Sequence, residues 1–414
     1  MMPLIIELGH HSFRAGYGGE VVPEFEMPAC LGAVHDSFVP LTSDQQCPPT
    51  PRYLAGRDIV RVPRAAMELV SPFDITGNIG DWNLFDKLLE DFYERYFPDL
   101  ADRNPVLFIE SPSWNEKQRE KLVELMFENH RVPKLYISNT AVYANAVTTC
   151  GMVIDSGAAF TCVSCVKDGY CLRTSISRTT AAGNMLDELC GQFLRARKIP
   201  LVERYRIGRT IVVGPEMPPI WSECPDLPVV NDSYRHYMRR EIIQEFKKSV
   251  VEVSARPLSE MPPKNVDGIE YTFPAGNHHN FGVERYGIAE PLFDPDLLRA
   301  NKQYDYYCTD IVSAVGSSLL PVDKEHRGDY LRNVVITGGN SVVPGFVERV
   351  KSSINAFLQR SQKFEVFTLP SEFRRHSPFI GASFCSCVPN AQNNWMSQSD
   401  YKEHGSYAIL ANVS

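Results

Sequence analysis

Apolar positions along the chain fall into two rhythms: period two, which predicts strands, and three-four spacing, which predicts helices. Residues 3–8 predict a strand, and Phe13 to Gly18 its return. After Pro28 the pattern breaks, and residues 30–57 hold four prolines in a polar run that predicts a loop-rich excursion. Phe85, Leu88, Leu89, Phe92 and Tyr96 share one helical face. Val106 to Glu110 predicts a buried strand. Ser113 and Glu116 have capping-box spacing ahead of a helix to Asn129, with Leu122, Leu125 and Met126 inward. Leu135 to Val147 is mixed and apolar.

The pattern then begins again at Gly151. Met152, Val153 and Ile154 run into Asp155-Ser156-Gly157, and alternation continues to an Asp168-Gly169 turn, which reads as a β-hairpin. Met185, Leu186, Leu189, Phe193 and Leu194 mark a helix. Residues 215–228 predict a Pro-rich loop. Asp232 is placed to cap a long helix to about Val253, with Tyr234, Met238, Ile242, Phe246 and Val250 inward. Residues 255–280 read as irregular. A helix from Asp310 to Leu319, a strand at Val334 and a helix over 344–359 follow. Phe364 to Leu369 predicts a strand. Helices over 378–388 and around Trp395 to Tyr401 close the chain.

Strand, strand, helix, strand, helix, and then a restart suggest two related halves. Each half opens with an acid and a glycine at its first turn: Glu7 in Leu4 to Gly19, and Asp155 with Gly157. Two such hairpins facing each other can close backbone amides on a phosphate chain from both sides. Val334 to Phe346, a strand followed by Gly338-Gly339 and a helix opened by Pro344, supplies a wall for a nucleoside. From spacing alone, satisfying turn amides is the commoner use of such acids.

Composition narrows the class. Of 414 residues, 43% are hydrophobic and 22% charged, as in a globular chain of two or three domains. A net charge of -8 argues against wholesale coating of nucleic acid. No apolar run approaches the ~18 residues of a membrane span, and no basic segment precedes an apolar one at the N-terminus, so neither membrane anchoring nor a secretory signal is expected. The 11 cysteines are odd in number and scattered, which favours a reducing compartment. Cys162 and Cys165 fall on opposite faces of a strand, and no metal site is expected. His10-His11 and His278-His279 have no spaced partners; the first pair is expected to point opposite ways in a strand, the second to sit in an irregular loop. Arg235, Arg239, Arg240, Lys247 and Lys248 read as a solvated helix face, with phosphate or DNA contact as the alternative. GxSxG, HExxH and GxxxxGK[ST] are absent.

The duplicated halves, the Asp155-Ser156-Gly157 hairpin and the Gly338-Gly339-Asn340 element resemble the two phosphate loops and the nucleotide-binding turn of the actin family. The resemblance spans essentially the whole chain. Residues 59–82, 280–295 and 393–405 resemble segments of nuclear actin-related proteins, the actin-related protein 4 branch above all. The fold implied is α/β: the actin fold, two duplicated lobes around a nucleotide cleft. Its four subdomains map to residues 1–29, 61–147 and 375–414 (first), 30–60 (second), 148–181 and 305–374 (third), and 182–304 (fourth). The resemblance implies nucleotide contacts from Arg14, Asp155, Gly157, Gly183, Lys247, Gly338, Gly339 and Asn340.

Departures from the family pattern matter as much. The first loop carries Glu7 for an aspartate and His10-His11 for a small pair. In the second loop an acid is replaced by Ala158 and a glycine by Ala159. The water-positioning glutamine has no counterpart, Thr140 being nearest, and Lys248 stands for a glutamate. No catalytic residue is therefore expected. ATP, with magnesium, is expected at most as a structural ligand. The resemblance implies a nuclear scaffold in a chromatin-remodelling or histone-acetyltransferase complex. Its partners would be actin or another actin-related protein, a helix of the remodelling ATPase, and histones of the nucleosome, with direct DNA contact left open. Phe379, Phe384, Trp395 and Tyr401 are the residues expected to form a groove for such a helix. The alternatives are a polymerising ATPase and, with less in its favour, a sugar kinase of the same fold.

Overall fold

In this computed structural model the described residues are 2–35, 51–74, 76–97, 103–260, 266–299, 308–358, 363–389, 391–393 and 395–406. β1 (Leu4–Leu8) is buried at all five positions. A strand covered on both faces reads as a continuous apolar run, and this one is flanked on both edges as well. β2 (Ser12–Tyr17) pairs with it antiparallel, and β7 (Val106–Glu110) pairs parallel on the other side. β3 (Phe25–Pro28), β8 (Lys134–Asn139) and β19 (Met396–Ser397) complete a sheet of order β19-β8-β7-β1-β2-β3.

The second lobe repeats the plan. β9 (Cys150–Ser156) pairs antiparallel with β10 (Thr161–Lys167) and parallel with β17 (Val334–Thr337). β11 (Tyr170–Cys171) and β18 (Val366–Phe367) lie at the edges, and β12 (Ser177–Thr179) pairs with β10. The Asp168-Gly169 turn forms as its residue types require, both at positive φ (52° and 81°). Each lobe has its own apolar core, one around Phe85, Phe92 and Phe108, the other around Phe246, Phe273 and Phe346.

Several expected elements differ. The helix after Pro112 is capped by Asn115 with Gln118, not by Ser113 with Glu116. In the Trp82–Tyr96 helix, Tyr93 turns inward and Tyr96 is exposed. The 30–57 excursion contains β4 (Leu31–Val34) and β5 (Arg52–Leu54), which join β6 (Met67–Val70) in a three-stranded sheet; residues 36–50 lie outside the described residues. The 215–228 loop contains β14 (Ile220–Glu223), paired with β13 (Ile207–Ile211). His278 and His279 lie on β16 (His278–Phe281), paired with β15 (Ile269–Thr272). The Asp232–Val250 helix is capped by Asn231 rather than Asp232. Short strands packed by one or two apolar side chains leave too little alternation to read.

The small sheet reaches across to the other lobe. Met67 packs with Val230, Tyr234 and Met238 of the Asp232–Val250 helix. Arg61 bonds both oxygens of Glu241 at 2.8 to 3.0 Å. The Tyr234 hydroxyl donates to the Arg61 carbonyl at 2.5 Å, and the Leu69 amide donates to Ser233 Oγ at 2.9 Å. The lobes thus meet above the cleft as well as at its floor.

Candidate functional site

Two turns of the same construction face each other. In the first, the Gly9 amide donates to the Ser12 carbonyl at 2.9 Å; in the second, the Gly157 amide donates to the Phe160 carbonyl at 3.0 Å. An acid stands two residues ahead of each glycine, Glu7 and Asp155. The tips between are His10-His11 and Ala158-Ala159. The histidines therefore occupy a turn rather than a strand, and both line the cleft instead of pointing opposite ways.

The second loop is fixed from behind. Asn340 Nδ2 donates to the Gly157 carbonyl at 2.7 Å and to Ser156 Oγ at 3.0 Å. The amides of Gly183 and Asn184 donate to the carbonyls of Gly157 and Ala158 at 3.0 and 2.7 Å. Gly338 sits at φ +86°, where a Cβ would lie 2.4 Å from the Ser156 carbonyl oxygen and 2.6 Å from Asp155 Oδ1. Only glycine fits there.

Between the loops lies a cavity of about 460 Å³, a volume suited to a small ligand. Arg14, Asp155, Gly157, Gly183, Lys247, Gly338, Gly339 and Asn340 all line it. Arg14 is engaged internally: Nη1 bonds Glu7 at 2.8 Å and Nε bonds Glu26 at 3.2 Å. Burial pushes the Glu7 and Asp155 carboxyls above their usual range, with Arg14 pulling against it in both. The second oxygen of Glu7 is buried, with no hydrogen-bond partner among the described residues. A phosphate-held magnesium ion draws on one or two carboxylates, and these two face the cavity. The backbone loops, the two acids and the lysine wall fit a nucleotide.

The basic helix is not a merely solvated face. Lys247 bonds Asp187 at 2.5 Å and the Gly183 carbonyl at 3.2 Å. Arg240 bonds Asp187 at 3.2 Å and Asn184 at 2.5 Å. Burial opposes the Asp187 charge, but Lys247 and Arg240 hold its pKa below the ordinary value. His10 and His11 both have lowered pKa values, through burial first and then through Arg240 for His10 and Lys248 for His11. His10 also packs against Phe73, the rings tilted by 38° with centres 5.0 Å apart. Phe73, Trp114 and Phe160 give the cleft an apolar side, with Arg178 4.4 Å above the Phe160 ring.

Sequence reasoning missed Asp187, Gln244, Arg375, Phe73 and Trp114. Asp187 had a signal, a lone acid on the inward stripe of an apolar helix. The others are joined to the cleft only by chain crossings that spacing does not reveal.

The four residues expected at a partner groove separate. Phe379 and Trp395 are core side chains packed with Ile5, Leu107 and Ile109, and Trp395 stacks on Tyr136 at 5.7 Å. Tyr401 stacks on Phe127 at 5.0 Å and donates to Glu128. Phe384 is 65% exposed, and Val388 and Val147 are 49% and 84% exposed. Gly381 lets the Ser377–Ser386 helix touch the backbone at Tyr143, where a Cβ would lie 1.9 Å from its carbonyl oxygen. Phe384 stands one turn on from that contact.

Duplicated lobes, matched loops and a Gly-Gly wall define an actin-type protein. The chain belongs to the actin family, whose model, described as Actin, matches residues 1–413. It is 26% identical to actin-related protein 4 of Arabidopsis thaliana, over 98% of this chain and 97% of that one. It is 28% identical to actin-related protein 4 of Yarrowia lipolytica, over 97% and 93%. It is also 28% identical to the SWI/SNF and RSC complexes subunit arp42 of Schizosaccharomyces pombe, over 97% and 96%.

Proposed function

We propose that this chain is a non-hydrolysing actin-related subunit of a nuclear chromatin-remodelling complex. In this reading it pairs with actin or another actin-related protein on a helix of the remodelling ATPase and contacts histones. Its full-length likeness to relatives named as actin-related protein 4, and as a subunit of SWI/SNF and RSC complexes, supports the class of assembly. The observation that carries the role is the exposed apolar seam of Phe384 and Val388 where the Ser377–Ser386 helix meets Tyr143. Amphipathic helices dock into such seams with apolar anchors one turn apart.

The cleft serves stability in this reading. Phosphoryl transfer rests on positioning and charge stabilisation. Ala158 and Thr140 line the cavity where groups that order an attacking water would stand. A nucleotide held there without turnover favours the closed state by linkage, about 2.7 kcal/mol at a hundred times its Kd.

Affinity purification of the tagged full-length protein from nuclear extract tests the role. The expected result is recovery of a remodelling ATPase with the wild type, and at least tenfold less with Phe384→Glu at unchanged thermal stability. Purification of the wild type alone contradicts it.

A further inference from the structure

The cavity has two ends, and the tip of the second loop parts them. On one side Ala158 lies against Gly183, where a Cβ would come 3.2 Å from Ala158 Cα and 3.1 Å from Asn340 Oδ1. That is the side of the Gly-Gly wall. On the other side Ala159 lies against Gly77, where a Cβ would come 3.1 Å from the Ala159 methyl and 2.4 Å from Phe160 Cε1. Phe73 belongs to the same turn as Gly77, bridged to Ile79, and it carries His10 of the first loop against its ring. Successive tip residues thus face a nucleoside wall and an aromatic end, with the phosphate-binding backbone between them.

Three rings from three separate segments wall the aromatic end: Phe73, Trp114 from the loop after β7, and Phe160 from the second loop. Each is packed on something else. Phe73 meets His10 at 5.0 Å, and Trp114 meets Phe108 at 5.8 Å and Trp82 at 6.2 Å. The Arg178 guanidinium lies 4.4 Å from the Phe160 ring centre. Among the described residues no ring contact joins Phe73, Trp114 and Phe160 to one another, although all three line the one cavity. Rings that share a space without packing together leave faces and edges for an occupant. With Arg178 already on Phe160, a cation is a poor choice. A phosphate chain has no use for three apolar rings. A planar heterocycle does, since stacking on aromatic side chains is tolerant of base type and corresponds to roughly 5- to 150-fold in affinity per base.

We propose that the cleft takes a dinucleoside polyphosphate. Its phosphates lie between the loop tips, one nucleoside lies at the wall of Gly339, Asn340 and Val343, and the second base lies among Phe73, Trp114 and Phe160. The inference rests on the nucleotide reading of the cleft and goes beyond it in naming the ligand class.

Titration calorimetry on the full chain with Mg²⁺ provides the test. Adenosine 5′-tetraphosphate is compared with diadenosine tri-, tetra- and pentaphosphate, so that phosphate number and the second base are varied separately. At least one dinucleotide is expected to bind about tenfold tighter than adenosine tetraphosphate. Phe160→Ala and Phe73→Ala each remove a half-buried ring from a different segment. Either should cut the dinucleotide's affinity about tenfold while changing that of adenosine tetraphosphate by less than about threefold. Thermal melting identifies a variant that fails to fold, and the other then carries the test. No advantage for any dinucleotide overturns the inference alone, as does an advantage that survives substitution of a folded variant. An equal loss of adenosine tetraphosphate binding puts the single base among the rings and overturns it too. No binding of any probe overturns it together with the nucleotide reading.

Discussion

Gly338 holds a backbone conformation, φ +86° and ψ 166°, that is essentially closed to other residues. Gly338→Ala adds that strain to a close approach at Asp155. It is expected to destabilise the protein by about 2 kcal/mol or more, read as a lower denaturant midpoint. An unchanged midpoint refutes the account of this turn. His376 makes a second residue-scale case. Arg375 Nε donates to its Nε2 at 2.9 Å, which requires a neutral ring, and burial with Arg14 and Arg375 lowers its pKa to about 4. An unfolded histidine titrates near 6.5. As pH falls from about 6.5 to about 4, the unfolded chain takes up a proton that the native one refuses, and stability is lost. His376→Gln should remove this loss, a difference of at most about 3.4 kcal/mol across the window. The raised carboxyls of Glu7 and Asp155 run the other way, so the comparison of wild type with variant carries the test. Parallel stability–pH curves contradict it.

Among elements, the long and strongly patterned ones were legible. Tyr234, Met238, Ile242, Phe246 and Val250 were assigned inward, and all five are buried. The hairpin at Asp155, the buried β7 and the strand before Gly338 also stand where alternation and turn residues put them. So do the two acids and the glycines of the cleft, because local turn chemistry fixes them. What was not legible depends on contacts distant in sequence. Tyr96 lies on the apolar face by spacing, yet the helix ends there and the side chain reaches solvent. The histidine tips read as strand residues because their turn is closed by one backbone bond that leaves no sequence mark. The bridge across the cleft mouth was invisible for the same reason, since Met67 and Met238 become neighbours only once both lobes have formed. Met67→Ala should cost about 2–5 kcal/mol. It should also speed amide hydrogen exchange in β4–β6 while leaving β1 and β9 protected. Equal acceleration throughout means that the small sheet is no separate latch.

At the scale of the molecule, two matched lobes are joined at the floor, where Ala141 packs with Val153, Val166 and Val335, and at the mouth by Met67, Arg61 and Glu241. Such a body can keep its shape without turning over a ligand. The actin fold is here proposed to act as a rigid binding surface, with a cleft that stabilises it and a seam at Phe384 that engages a partner helix. The most direct test of that claim is phosphate release from Mg²⁺-ATP by the pure full-length chain, followed to many equivalents of protein. The account predicts no release above the protein-free control. Sustained release, one phosphate after another per chain, contradicts it and makes the protein a working ATPase.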